Sequence, residues 1–73
     1  MLPKVLPYSD VKRKLENAGF SVHTQKGSHI KFVKQTNEGI RTAIVPHHKE
    51  LSIGILKSIL RQAGINEEEF ERL

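Results

Sequence analysis

The sequence predicts an α+β fold: a three-stranded antiparallel sheet with two helices on one face, in the order α-β-β-β-α, plus a short C-terminal helix. Three observations carry this expectation. Residues 9–18 and 52–63 place apolar side chains at helical spacing. The stretch between them, 20–45, alternates with a period of two and is broken by two glycine-containing turns. A chain of 73 residues cannot cover both faces of such a sheet, so the helices should share one side, giving a two-layer sandwich.

That length allows a single domain over residues 1–73, whose core supplies no more than roughly 3–5 kcal/mol of net stability. With no cysteine there is neither a disulfide framework nor a thiolate metal site. No run approaches the length of a membrane span and no apolar signal stretch opens the chain, so a cytoplasmic location is expected. Twelve Lys and Arg against eight Asp and Glu give a formal net charge of +4. Glu67, Glu68, Glu69 and Glu71 cluster near the C-terminus, leaving a markedly basic body upstream. Such a body suits a phosphate backbone, although simple solubility would also account for it.

In chain order, Pro3 and Pro7 make residues 1–7 turn-prone. Ser9 is a fitting N-cap for a helix through Ala18. There Val11, Leu15 and Ala18 share a face and Gly19 stands where a left-handed terminator belongs. From Phe20 to Gln25 the alternation points Phe20, Val22 and Thr24 inward and Ser21, His23 and Gln25 outward. Lys26-Gly27-Ser28 is a turn. Residues 29–34 then direct Ile30 and Phe32 inward and His29 and Lys31 outward. The polar segment 35–39 reads as a hairpin loop.

In the third strand, 40–45, the expected inward set is Ile40, Thr42 and Ile44, with Arg41 outward; Pro46 ends it. Residues 47–51 connect to a helix capped by Ser52 and closed by Gly64, with Ile55, Leu56, Ile59, Leu60 and Ala63 as its apolar stripe. Asn66 then caps a short helix, with Glu69 at the capping-box position and Ile65 and Phe70 spaced as a hydrophobic staple. The glutamates favour the positive end of that helix dipole, which explains the acidic run without a metal. The strand phases thus predict a polar, basic open face carrying His29, Lys31, His23 and Arg41, with the proviso that one bulge would invert part of it.

Such a face suits RNA phosphodiester cleavage. The 2′-hydroxyl must lose a proton, the 5′-oxygen must gain one, and the phosphorane needs positive neighbours. An imidazole exchanges protons near neutral pH, and lysine or arginine can stabilise the developing charge. His29 is the candidate acid/base, with Lys31 beside it; Gly27 allows close backbone approach and Ser28 offers a hydroxyl. No metal or other cofactor is required. A zinc site built from His23, His29, His47 and His48 is disfavoured, because no cysteine or spaced carboxylate completes it. From these residues alone, an exposed His29 without a catalytic role is an equally good reading. Tyr8, Phe20, Phe32 and Phe70 are too few, and mostly too inward, to form base-stacking platforms.

Four blocks resemble the HicA-type toxins, small mRNA interferases of toxin–antitoxin modules. They are Ala18-Gly19-Phe20; Lys26-Gly27-Ser28-His29 with Phe32, similar to a Gly-Ser-His-x-x-aromatic motif; Val45-Pro46-His47-His48-Lys49-Glu50-Leu51; and the helix from Leu56 to Ile65. The chain departs from the family at Ser52-Ile53-Gly54-Ile55, where members often carry Lys-Pro-Gly-Thr, and at Phe32, where a tyrosine is found in others. The resemblance implies a double-stranded-RNA-binding-domain-like α-β-β-β-α fold, in agreement with the pattern above, His29 as catalytic residue, and a HicB-type antitoxin that binds the toxin in a hetero-oligomer and blocks its site. Lys26, Gly27, Ser28, Lys31, His23 and Arg41 are the expected RNA-contacting or supporting residues. The rival readings are a non-catalytic RNA-binding module of the same fold and a pure interaction protein.

Overall fold

A computed structural model describes residues 2–73; Met1, the first residue of the turn-prone N-terminal segment, lies outside the described residues. The element order is β1 (Val5–Pro7), α1 (Tyr8–Asn17), β2 (Ser21–Lys26), β3 (His29–Thr36), β4 (Gly39–Pro46), β5 (Glu50–Ser52), α2 (Ile53–Ala63) and α3 (Glu67–Glu71). Strands β2, β3 and β4 form an antiparallel meander in that order. The expected α+β sandwich with its terminal helix is present.

Both long helices cover one face of the meander. Val11 and Leu15 of α1 join Leu56, Ile59, Leu60 and Ala63 of α2 in one buried cluster with Ile30, Phe32, Ala43 and Val45 of the sheet. Phe32 is fully buried at its centre. Helix α2 ends as its sequence dictates. Ser52 Oγ accepts from the Ile55 N–H, Gly64 adopts φ 73°, and the Ile65 N–H reaches back to the Leu60 carbonyl at 3.0 Å. In α3 Asn66 Oδ1 accepts from the Glu69 N–H at 2.8 Å, and Ile65 and Phe70 are both buried.

Four expectations need correction. First, the N-terminal segment is not simply a turn: β1 pairs with β5 in a separate two-stranded ribbon, Leu6 opposite Leu51. Strands of three residues, one ending in proline, are too short to show alternation, and only their mutual pairing defines them. Second, α1 begins at Tyr8 rather than after a Ser9 cap. Pro7 precedes it in an extended conformation without a side-chain cap, and the Tyr8 N–H donates to the Lys49 carbonyl at 3.3 Å.

Third, β4 has the opposite phase from the one expected. Ala43 and Val45 are fully buried, while Ile40 is 68% and Ile44 37% exposed. The cause is turn length. Strand β3 continues to Thr36, and only Asn37 and Glu38 separate it from Gly39, a shorter turn than the expected loop over 35–39. That turn pairs Phe32 with Ala43 and Ile30 with Val45, so the odd-numbered residues of β4 follow the even-numbered core residues of β3. Arg41, opposite Lys34, therefore lies on the helix-covered side and not on the open face.

Fourth, β2 contains the bulge that would invert its phase. Its register shifts between Val22 and Thr24, leaving His23 as the extra residue. Val22 stays opposite Phe32, but Thr24 now pairs with Lys31 on the open face, and Gln25 pairs with Ile30. Because β2 is an edge strand, every residue in it is exposed, Val22 at 45%.

Candidate functional site

The site begins with the tight turn between β2 and β3. Gly27 and Ser28 are its two central residues, and Gly27 has φ 60°, as the first central residue of a type II′ hairpin turn does. A β-substituent at Gly27 would meet nothing within 4 Å, so glycine is required there by backbone conformation rather than by crowding. The Gln25 side-chain amide donates to the Gly27 carbonyl at 3.2 Å and braces the turn. On the other side the His47 N–H donates to the Ser28 carbonyl, extending the β3–β4 ladder past the end of β4.

His29 is the first residue of β3 and is exposed. It is held between Lys26 of β2 and Pro46 of β4, its Cα partners on either side. Directly opposed residues of an antiparallel pair project from the same face, so Lys26, His29 and Pro46 stand in a row across the open face. Lys31, two residues on, emerges from that face between Thr24 and Ile44. His29 thus has one lysine opposite it across the β2–β3 pair and a second two residues along its own strand. Phe32, the motif aromatic, faces the other way and is wholly buried, so within Gly-Ser-His-x-x-aromatic the histidine is presented and the aromatic ring anchors.

The expected site residues separate into two groups. Lys26, Gly27, Ser28, His29 and Lys31 are brought together. His23 lies in the β2 bulge, exposed and without a partner of its own in β3. Arg41 is directed toward α2, its Nη1 3.5 Å from the Gln62 carbonyl.

Contacts from outside the motif also support the turn. The Tyr8 and His47 rings lie 4.3 Å apart, centroid to centroid, tilted by 41°. Residues 47–49 are thereby tied to the Ser28 turn at one end and to the start of α1 at the other. Burial, and then the negative charge of Glu16, raise the Tyr8 phenol above its ordinary pKa of 10.0, so it is protonated at neutral pH. Tyr8 and His47 are 39 positions apart, and no sequence period links them.

Among the described residues, no group of three His, Cys, Asp or Glu side chains is placed to hold a metal ion, and no helix is long and apolar enough to cross a membrane. The arrangement offers proton exchange at an open, positively charged surface. A family model described as the HicA toxin of bacterial toxin–antitoxin systems matches residues 8–65, from the first residue of α1 to the Ile65 staple. The chain belongs to the HicA toxin family. A comparison with curated proteins returns no match. As a HicA toxin the chain is the toxin component of a toxin–antitoxin module, and it has an antitoxin partner in that general sense. The matched span contains all three strands of the meander, α2 and the turn that presents His29.

Proposed function

We propose that this HicA toxin is an endoribonuclease that cleaves mRNA in the cytoplasm by metal-independent acid/base catalysis at His29, and that a HicB-type antitoxin neutralises it. The observation that carries the reading is the row Lys26–His29 on an open sheet face, with Lys31 next along the strand.

The chemistry follows from those residues. RNA laid across the face brings a backbone phosphate against Lys26 and Lys31, which attract it irrespective of sequence. His29 takes the proton from a ribose 2′-hydroxyl, whose oxygen attacks the adjacent phosphorus. The P–O5′ bond breaks, leaving a 2′,3′-cyclic phosphate on one fragment and, once solvent water protonates the 5′-oxygen, a 5′-hydroxyl on the other, while the imidazolium returns its proton to solvent. The two ammonium groups offset the charge that accumulates on the phosphorane oxygens. The Gly27 turn has no side chain to hold the substrate backbone away. The family match supports the toxin role, and the chemistry of an exposed imidazole between cations supports the reaction.

The test is cleavage of a defined mRNA by purified toxin and by His29→Ala, with and without EDTA. Wild type should cut in both buffers and the variant should lose at least about 100-fold in rate, the lower end of what a positioned acid/base contributes. Equal cleavage by the two proteins would remove His29 from the mechanism. RNA binding without any cleavage would identify a non-catalytic module.

A further inference from the structure

The open face of the sheet is divided. Its β2–β3 end carries Lys26, His29 and Lys31, while the end near the β3–β4 turn carries Val33, Gln35, Ile40, Thr42 and Ile44. No cation projects from that second half. The two positive side chains in these stretches, Lys34 and Arg41, occupy the alternate positions and leave from the helix-covered side. Ile40 and Ile44 flank Thr42 on one strand, and Val33 is opposite Thr42, so the aliphatic groups are contiguous rather than scattered. A contiguous apolar patch marks a surface for another molecule.

RNA is a poor occupant for this half. Aliphatic side chains neither neutralise phosphate nor stack on bases, and no aromatic residue projects there. A second copy of the toxin would bring together two chains of net charge +4. A protein with an apolar centre and an acidic rim complements the whole surface: its centre meets Ile40 and Ile44, and its rim meets Lys31, the direct cross-strand neighbour of Ile44.

We infer that the aliphatic half of the open face, centred on Ile40 and Ile44, is the anchor for the antitoxin, separate from the RNA-contacting half. This rests on the antitoxin part of the proposed function and specifies its docking site. Occlusion of the site follows from geometry, because a chain seated on Ile44 abuts Lys31, two residues from His29 on the same strand. The antitoxin's apolar anchor and the catalytic imidazole are then different side chains of one face, with Lys31 at the border between them, so the anchor can be removed while His29 stays in place.

The experiment uses the full toxin, the purified antitoxin encoded with it, and the double variant Ile40→Ser/Ile44→Ser. Thermal melting controls for folding, and titration calorimetry reads binding independently of any RNA cleavage. The variant should bind the antitoxin at least about 30-fold more weakly, the scale of one hot-spot residue. Where wild-type toxin cuts RNA, the variant should cut within about twofold and escape inhibition. Unchanged antitoxin affinity would overturn the inference. So would a wild-type toxin whose self-association the double variant abolishes, since a second copy would then own the face. Failure of the wild type to cleave would overturn the catalytic reading alone, because the calorimetric arm is unaffected.

Discussion

Arg41 of β4 rests against the glycine that terminates α2: a Cβ added to Gly64 would fall 2.7 Å from the Arg41 guanidinium carbon. With Nη1 3.5 Å from the Gln62 carbonyl, the charge sits at the negative end of the helix dipole. The same device recurs twice. Lys34, the cross-strand partner of Arg41, lays its stem over Gly19 at the end of α1, with its ammonium 5.8 Å from the Phe20 ring centroid. Lys14 donates to the Phe70 and Leu73 carbonyls at the end of α3. Three cations of this basic chain therefore serve helix termini, and Lys26 and Lys31 are the ones beside His29.

Gly64→Ala should be costly because Gly64 holds a left-handed φ of 73°; the Arg41 guanidinium above it is the far end of a flexible, exposed side chain and can swing aside. We expect a loss of more than about 1 kcal/mol in urea denaturation. Arg41→Ala alone should cost about 0.3–1 kcal/mol, the range for an exposed charge at a helix end, and should leave RNA cleavage nearly unchanged. A cleavage loss in Arg41→Ala as large as that in Lys31→Ala would place Arg41 in the substrate path after all.

Lys26→Ala and Lys31→Ala should act on the phosphate backbone. Each should lower RNA affinity across unrelated sequences and reduce the slope of log affinity against log salt by about 0.7, the value for one single-strand phosphate contact. Filter binding over a salt series, done in the His29→Ala background to prevent turnover, measures both. A sequence-selective loss would be inconsistent with phosphate contacts.

Phe32→Ala should abolish folding. Truncating a fully buried phenylalanine costs about 3–5 kcal/mol, comparable with the whole net stability of a chain this small. Far-UV circular dichroism at 25 °C should show mostly unfolded protein. A folded, inactive Phe32→Ala would instead give the motif aromatic a role in chemistry.

Stability should fall as pH rises above about 10. The Tyr8 phenol is raised in the folded state by burial and then by Glu16, so the unfolded chain ionises first. The contribution is intact below the unfolded pKa and is lost as pH climbs through the folded one. Urea midpoints measured between pH 8 and 11 should decline less for Tyr8→Phe than for wild type over the alkaline part of that range.

Much of this molecule was legible in its sequence, for physical reasons that are local. The helical stripe from Leu56 to Ala63, its Ser52 cap and its Gly64 terminator each act within a few residues, so their structural outcome could be read directly. The same holds for Gly27 in the turn, for Phe32 inward, and for His29 and Lys31 outward on β3. What only the tertiary structure decided depends on pairing between distant segments. Ile40/Ile44 and Ala43/Val45 are both plausible core sets by composition. The two-residue turn at Asn37–Glu38 selects the second and sends Arg41 to the end of α2. The His23 bulge shifts β2 by one residue, and β1 exists only because β5 pairs with it. Residue type and local spacing determined the elements and the presented histidine. Register, a non-local property that flips every side chain when it moves by one, determined which charges and which aliphatic groups share its face.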